Sequence, residues 1–121
     1  MLIKISDRFI KSLKQNKNKK GIEKVLITKI KDFEHVFDLS RQKLTPVYDW
    51  EIKKIDCTSS YGAYRLILAK NINENKVVCD FYFKNKKDDI SDDDKLWLKN
   101  FLLECSDNNF YLELSNLEDL A

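Results

Sequence analysis

The charge of this chain changes sign abruptly within the stretch KNKKDDISDDDK, residues 84–95. Three lysines, Lys84, Lys86 and Lys87, come first, and five aspartates follow them. Lysine ammonium groups bind phosphate whereas carboxylates repel it, so the two halves need different explanations. We assign the lysines to a phosphate-binding site at the end of a strand.

The aspartates have a structural explanation of their own. Ser91 followed three residues later by Asp94 resembles a capping box, which marks the start of a helix. Acids in the first helical turn meet unpaired N–H groups and the positive end of the dipole, each worth about 0.3–1 kcal/mol. The alternative is a charge-balanced loop in which the lysines pair with the aspartates. Exposed pairs of that kind are worth only ~0–1 kcal/mol, so they do not by themselves account for the cluster.

The composition is that of one folded domain over residues 1–121. Hydrophobic residues make up 43% of the chain and aromatic residues 12%, which argues against disorder despite 35% charged residues. The net charge of +2 hides a polarity: residues 1–31 carry +8, with ten Lys or Arg against two acids, and residues 88–121 carry −8, with two against ten. A basic front half is typical of a protein that binds a polyanion, but a chain rich in Lys and Asn has one without any such ligand.

The cysteines and the single histidine argue against two classes of site. Cys57, Cys79 and Cys105 form no CxxC pair, and an odd number does not suit a disulfide framework. His35 has no cysteine near it, so metal-ligand spacing is absent. The first residues carry a charge every three or four positions, and no run approaches the ~18–20 apolar residues of a membrane span. We therefore expect a cytoplasmic protein with no metal, no cofactor and no membrane partner.

Helices and strands must position the charged residues, and hydrophobic periodicity predicts their order. Ser6 is placed to cap the first helix, and the apolar residues from Ile22 onward recur with helical spacing. The predicted elements are a strand at 2–6, helices at 7–16 and 22–38, a loop at 39–49, strands at 50–57, 62–71 and 76–83, and a helix at 91–105. The segment 107–121 is either a further C-terminal strand or a tail. The predicted fold class is α+β, with an N-terminal strand and a helical hairpin packed on a small antiparallel sheet, followed by a C-terminal helix.

This order of elements, together with the stretch YGAYRLILAKNINENKVVCDFYFKNKKDDIS, resembles the RelE/ParE superfamily of type II toxins. The likeness covers residues 1 to about 105. Its most specific part is the strand Gly62-Ala63-Tyr64-Arg65-Leu66, followed by a polar hairpin and an apolar strand that ends in a basic cluster. The helix ISDDDKLWLKNFL is similar to the family's C-terminal helix.

The resemblance implies a RelE-like domain and a choice of activities. RelE-like members cut mRNA in the ribosomal A site, where the substrate's own 2′-hydroxyl attacks the adjacent phosphate and no metal is needed. ParE-like members poison DNA gyrase instead. Both are held inactive by a cognate antitoxin protein that wraps them.

The resemblance also gives the cations chemical roles. Attack by a 2′-hydroxyl needs help in removing its proton, cations that stabilise the phosphorane, and a proton for the departing 5′-oxygen. Arg65 matches the family's arginine, and its planar guanidinium suits bidentate phosphate contact. Lys53 and Lys54 lie on the preceding strand, where RelE-like members place basic residues facing the cleft. Strand alternation lets only one of them face it, and the sequence leaves open which. That lysine is either a phosphate clamp or a general base.

The residues predicted to carry catalysis are Arg65, Lys54 and Lys87, and those predicted to bind the substrate are Lys53, Lys84, Lys86 and Tyr64. Tyr64 either stacks on a base or packs in the core. One feature departs from the family, whose RNases often place a His or Tyr at or just past the last strand. This chain has KKDDISDDD there, and Tyr82 is the nearest candidate.

The sequence leaves three functions open. The first is a RelE-like endoribonuclease. The second is a ParE-like gyrase inhibitor or another non-catalytic member, which the missing His or Tyr favours. The third is a small nucleic-acid- or protein-binding module of phage or plasmid origin. A separate hypothesis concerns the acidic C-terminal third, which we expect to fold against the basic face and restrain activity.

Overall fold

The computed structural model describes residues 2–108 and 112–113. Within them the chain forms six strands and four helices, which confirms the predicted α+β class. The strands are β1 (Leu2–Ile5), β2 (Gln42–Lys43), β3 (Trp50–Ser59), β4 (Gly62–Asn71), β5 (Lys76–Phe83) and β6 (Leu112–Glu113). The helices are α1 (Asp7–Gln15), α2 (Ile22–Lys31), α3 (Phe33–Leu39) and α4 (Asp92–Asn108). No helix in this part of the chain is both long and apolar enough to cross a lipid bilayer.

The strands form one sheet in the order β2-β3-β4-β5-β1-β6. β3, β4 and β5 are consecutive antiparallel neighbours joined by short turns. β1 departs from the predicted antiparallel sheet because it pairs parallel to β5, with Lys4 opposite Val77. β6 pairs antiparallel with β1, so part of the segment 107–121 is the further strand that was one of its two predicted states. The rest of that segment, apart from the end of α4, lies outside the described residues.

Helices cover both faces of the sheet. Helices α1 to α3 pack on one face, which we call the hairpin face, and α4 packs on part of the other, which we call the α4 face. The core of the hairpin face includes Phe9, Ile22, Leu26, Ile30, Phe33, Phe37, Leu66 and Phe81. The core of the α4 face includes Trp50, Ile52, Ile67, Ala69, Val77, Leu98 and Leu102. Each large apolar side chain buried this way contributes about 1.5–3 kcal/mol, so the sheet is held firmly between two layers.

Two helix starts follow the predicted caps. The Ser6 hydroxyl accepts a hydrogen bond from the Phe9 N–H at 2.9 Å and caps α1. Before α4, the Asp94 N–H donates to the Ser91 hydroxyl at 3.1 Å, and the Ser91 N–H donates to the Asp94 carboxylate at 2.9 Å. This reciprocal pair is a capping box. α4 then runs on to Asn108, beyond its predicted end at 105.

The helix predicted over 22–38 is instead two helices that meet at Asp32. The Asp32 N–H donates to the carbonyl three residues back at 3.2 Å, which tightens the last turn of α2. The change of direction leaves Phe33 and Phe37 in the core, where their rings stack 5.5 Å apart. The loop predicted over 39–49 contains β2, which pairs with β3 at the edge of the sheet.

Candidate phosphate-binding site

Three neighbouring strands bring cations together on the α4 face, beside the part that α4 covers. Lys54 lies on β3, Arg65 lies on β4, and Lys84 directly follows β5. The register places Arg65 opposite Asp56 on one side and opposite Tyr82 on the other. Since side chains alternate along a strand, Lys54 and Lys84 point to the same face as Arg65. We call this set, together with Lys87, the basic cluster: Lys54, Arg65, Lys84 and Lys87.

The turn between β3 and β4 sets the register of the cluster. Gly62 has a φ of +112°, which residues with a side chain rarely adopt. The Ser59 hydroxyl donates to the Gly62 carbonyl at 2.9 Å and closes the turn. Because turn geometry fixes the pairing of a hairpin, this turn aligns Asp56 with Arg65. The glycine of the Gly62–Leu66 motif therefore positions its arginine.

Asp56 lies between two cations of the basic cluster. Its carboxylate is 2.9 Å from Nε of Arg65 and 3.0 Å from Nζ of Lys84, and the side-chain amide of Gln42 also donates to it. Burial alone raises the pKa of Asp56, but hydrogen bonds from Lys84, Arg65 and Gln42 outweigh it and lower the pKa to about 2. Asp56 is therefore a carboxylate at neutral pH and neutralises part of the cluster.

The aspartates of the stretch 84–95 contact the cluster as well as the helix. Lys54 Nζ lies 3.2 Å from the Asp89 carboxylate, and the Arg65 guanidinium lies 3.9 Å from it. Asp94, which completes the capping box, also pairs with Lys87. Four cations thus meet three carboxylates, counting Asp56. The assignment of the aspartates to the helix alone is therefore incomplete. The alternative of a charge-balanced loop describes the Lys87–Asp94 pair, whereas Asp89 pairs with Lys54 and Arg65 of the neighbouring strands.

Tyr82 lies beneath the cations. Lys87 Nζ is 5.1 Å from the centre of its ring, and its hydroxyl is buried with no hydrogen-bond partner among the described residues. Burial raises the pKa of Tyr82 although the nearby Arg65 guanidinium opposes it. Tyr82 and then Asp56 raise the pKa of Arg65. At neutral pH Arg65 is consequently a cation and Tyr82 a neutral phenol.

Three of the residues predicted to bind the substrate lie outside the basic cluster. Lys53 points to the hairpin face, where its Nζ donates to the Phe37 carbonyl at 2.8 Å and lies 4.5 Å from the Phe37 ring centre. Tyr64 is 0% exposed and packs on the same face against Phe83. Both side chains point away from the α4 face, because side chains alternate along a strand and their neighbours Lys54 and Arg65 point toward it. Lys86 is exposed after β5 and forms no ion pair with a described residue.

Sequence reasoning missed Asp56, although a signal for it was present. Asp56 and Lys54 are two residues apart, so a strand places them on the same face. A tight turn within SSYG, residues 59–62, predicts that Asp56 lies opposite Arg65, as it does. An ion pair across the hairpin was therefore predictable once the turn was fixed.

No group of three or more His, Cys, Asp or Glu side chains in the described part of the chain is arranged to hold a metal ion. No family model, curated protein or solved structure matches this chain. The resemblance to the RelE/ParE superfamily therefore stays a prediction from the sequence, based on the order of elements and the Gly62–Leu66 motif. The geometry of the basic cluster is the basis on which a function is proposed.

Proposed function

We propose that this chain is the toxin of a type II toxin–antitoxin system and a RelE-like endoribonuclease that cuts mRNA in the ribosomal A site. The observation that carries the proposal is the convergence of Lys54, Arg65 and Lys84 on one face from adjacent strands. Cations grouped in this way suit a chain of phosphates. In this proposal the protein acts in the cytoplasm, where it meets ribosomes, and a cognate antitoxin protein holds it inactive.

Arg65 is the proposed stabiliser of the phosphorane. It stays charged across the physiological pH range because the pKa of a guanidinium lies far above that range, and Tyr82 and Asp56 raise the pKa of Arg65 further. A fixed cation aimed at developing negative charge stabilises the transition state without any change in its own protonation. In this structure the Arg65 Nη1 donates to the Asp88 carbonyl at 3.0 Å, so two parallel hydrogen bonds from the guanidinium to one phosphate require that contact to be released. Asp56 holds the guanidinium in place at 2.9 Å through its Nε.

Proton transfer is assigned to two lysines. Lys54, as the neutral amine, is the proposed general base that accepts the proton of the 2′-hydroxyl, and Lys87, as the ammonium, is the proposed donor of a proton to the departing 5′-oxygen. Each is held by an aspartate in this structure, Lys54 by Asp89 and Lys87 by Asp94. RNA must therefore displace Asp89 before its phosphate meets Lys54. Lys84 completes the set as a phosphate clamp.

The carboxylates favour a second candidate, a non-catalytic member of the superfamily such as a ParE-like gyrase inhibitor. Every cation of the basic cluster is paired with an aspartate, and the Tyr82 hydroxyl is buried. A cluster neutralised from within binds an anion less strongly than a free one. A non-catalytic member does not require RNA to displace Asp56 or Asp89 from the cations of the basic cluster.

The test is mRNA cleavage by the purified protein, with and without programmed ribosomes, mapped by primer extension. Wild type is compared with Arg65→Ala and with Arg41→Ala, which removes an exposed arginine that forms no ion pair with a described residue. We expect cuts at A-site codons, a loss of roughly 100- to 1000-fold in Arg65→Ala, and wild-type cleavage in Arg41→Ala. Thermal unfolding of both variants checks that they are folded.

Cleavage by Arg65→Ala at the wild-type rate would contradict the role proposed for Arg65. No cleavage by wild type, together with inhibition of DNA supercoiling by wild type and Arg65→Ala alike, would contradict the endoribonuclease and favour the gyrase inhibitor.

A further inference from the structure

A cleft of about 600 Å³ lies between the β2–β3 hairpin and α4. Its apolar lining includes Leu44, Val47, Ile52 and Leu98. Its charged lining consists of Lys43, Lys95 and Lys99, with no carboxylate among the lining residues. A cavity of this size takes a ligand as large as a nucleotide. The composition of the walls favours a ligand with a flat or apolar body and negative charge.

The lysines of the cleft differ from those of the basic cluster. The ammonium groups of Lys43, Lys95 and Lys99 form no ion pair or hydrogen bond with any residue of the described ranges, and all three side chains are exposed. The basic cluster, by contrast, is neutralised by Asp56, Asp89 and Asp94. The cleft therefore holds cations that are free to meet an incoming anion.

Tyr48 stands at the rim of the cleft with its ring in solvent. It is 82% exposed and has a φ of 49°, which is uncommon for a residue with a large side chain. Two backbone hydrogen bonds between Val47 and Trp50, at 3.2 and 2.8 Å, hold the turn that presents it. Strained backbone held by its surroundings is frequent at ligand sites. An exposed aromatic ring beside free lysines is the combination that stacks and holds single-stranded nucleic acid.

The cleft and the basic cluster are neighbours along β3. Ile52 lines the cleft, and Lys54 belongs to the cluster. The two side chains are on the same face of the strand, about 7 Å apart along it. A single strand of RNA lying on the α4 face therefore passes from one site to the next without crossing an edge of the sheet.

We propose that this cleft is a second RNA subsite, which takes a nucleotide flanking the one bound at the basic cluster. The base stacks on Tyr48 over the apolar floor, and the neighbouring phosphates contact Lys95 and Lys99. The choice of RNA as the ligand rests on the proposed function. An acidic segment of a partner protein is the competing occupant, but an exposed ring held at the tip of a turn favours a base.

The test is binding of a fluorescein-labelled oligouridine of about ten nucleotides, measured by fluorescence anisotropy over a range of salt concentrations. We expect Tyr48→Ala to weaken binding roughly 5- to 150-fold, the effect of losing one stacked base, and Tyr48→Phe to bind like wild type. Ile72→Ala is the matched control, because Ile72 is 79% exposed at the turn between β4 and β5.

The lysines are tested by the salt dependence of the same binding. Loss of two phosphate contacts in Lys95→Ala/Lys99→Ala reduces the slope of log affinity against log salt by about 1.4. The control is Lys11→Ala/Lys14→Ala, which makes the same change of net charge on exposed residues of α1. We expect that control to change the slope less than the cleft variant does.

The outcomes separate this inference from the proposed function. Binding that is unchanged in Tyr48→Ala and in Lys95→Ala/Lys99→Ala overturns the subsite, whatever Arg65→Ala does to cleavage. Failure of wild type to bind the oligouridine at low salt also overturns it, and leaves the acidic protein segment as the occupant. Binding that depends on Tyr48 in a protein that cuts no mRNA supports the subsite and counts against the endoribonuclease.

Discussion

At the scale of single residues, Asp56 governs how much charge of the basic cluster is free for a ligand. Its carboxylate lies within 3.0 Å of both Arg65 and Lys84 and has a pKa of about 2. A carboxylate between two cations takes the position that a phosphate oxygen takes in an anion site. In the proposed function, RNA and Asp56 therefore compete for the same donors.

We expect Asp56→Asn to bind single-stranded RNA more tightly than wild type. Removing one charge a few ångströms from a phosphate is worth about 1 kcal/mol in water, or about fivefold in affinity. Anisotropy titration of a labelled oligonucleotide measures this. Asp32→Asn is the control, since Asp32 is an exposed aspartate of the hairpin side and the change of net charge is the same. Equal affinities of Asp56→Asn and wild type would show that Asp56 does not compete with RNA.

Asp56 and Asp94 also make the thermal stability of the protein depend on pH in the acid range. The pKa values of Asp56 and Asp94 fall from an ordinary 3.8 to about 2 in the folded chain. A lowered folded-state pKa stabilises above the unfolded-state value, and that stabilisation is lost as the pH falls from about 4 to about 2. We expect the thermal midpoint to drop in this window.

The variants Asp94→Asn and Asp56→Asn measure how much each aspartate contributes to the loss of thermal stability at acid pH. Asp94 has a side chain only 13% exposed, against 45% for Asp56, so solvent screens its ion pairs less. We expect Asp94→Asn to flatten the acid drop more than Asp56→Asn does, in thermal scans between about pH 2 and pH 6. A drop of wild-type size in Asp94→Asn would exclude its ion pairs as the cause.

At the scale of secondary-structure elements, α4 determines which part of the sheet is open. Its apolar side covers one end of the α4 face, and its first turn is tied to α1 by a hydrogen bond of 2.7 Å from Arg8 to Asp94. Near its other end, Trp50 Nε1 donates to the Ser106 hydroxyl at 2.7 Å. The helix thereby forms one wall of the cleft, while the side chains of Lys54 and Arg65 in the basic cluster are only 14% and 18% exposed.

We expect Leu102→Ala to lower the free energy of unfolding by about 2–5 kcal/mol, because Leu102 is 0% exposed between α4 and the sheet. Leu96→Ala makes the same change on the same helix at a residue that is 59% exposed, and we expect it to stay within about 0.5 kcal/mol of wild type. Urea denaturation measures both. Equal effects of the two substitutions would mean that α4 does not pack on the sheet as described.

At the scale of the whole molecule, the difference in charge between the two ends of the sequence appears as a difference in charge between the two sides of the sheet. Exposed lysines of α1, α2 and the turn between them form no ion pair with described residues: Lys11, Lys14, Lys17, Lys20 and Lys24. The acids that pair with the basic cluster lie on the opposite side of the sheet. A nucleic-acid-binding module, the third function that the sequence leaves open, would bind its ligand through this basic surface.

The hypothesis that the acidic C-terminal third restrains activity can be tested residue by residue. Among the described residues, the carboxylates that pair with the basic cluster are those of Asp56, Asp89 and Asp94, and the last two belong to the acidic third, residues 88–121. We therefore expect Asp89→Asn to raise the RNA affinity. Deletion of residues 114–121 tests the end of that third: an unchanged affinity and salt slope would exclude these residues as a restraint, and tighter binding would include them.

The sequence by itself determined the fold class and the helix starts. Hydrophobic periodicity depends on neighbours along the chain, so the elements were predictable, and the caps at Ser6 and Ser91 formed as predicted. The break at Asp32 was not predictable, because apolar spacing continues across it and only packing on the sheet bends the helix there. The parallel pairing of β1 depends on where distant strands lie, which local patterns do not encode.

For the site, the sequence identified the kinds of residue involved, and the tertiary structure determined which of them come together. It predicted a basic group around Arg65 but left Lys53 and Lys54 unresolved, because both faces of β3 are buried in part and no simple alternation marks the outer one. The pairing register resolves them: Lys54 and Asp56 lie on one face of β3 with Arg65, and Lys53 lies on the other face against Phe37. Pairing of the aspartates with the cluster likewise needs residues far apart in sequence to meet. Short-range patterns fix local conformation, whereas the charge balance of a site depends on contacts that exist only once the chain has folded.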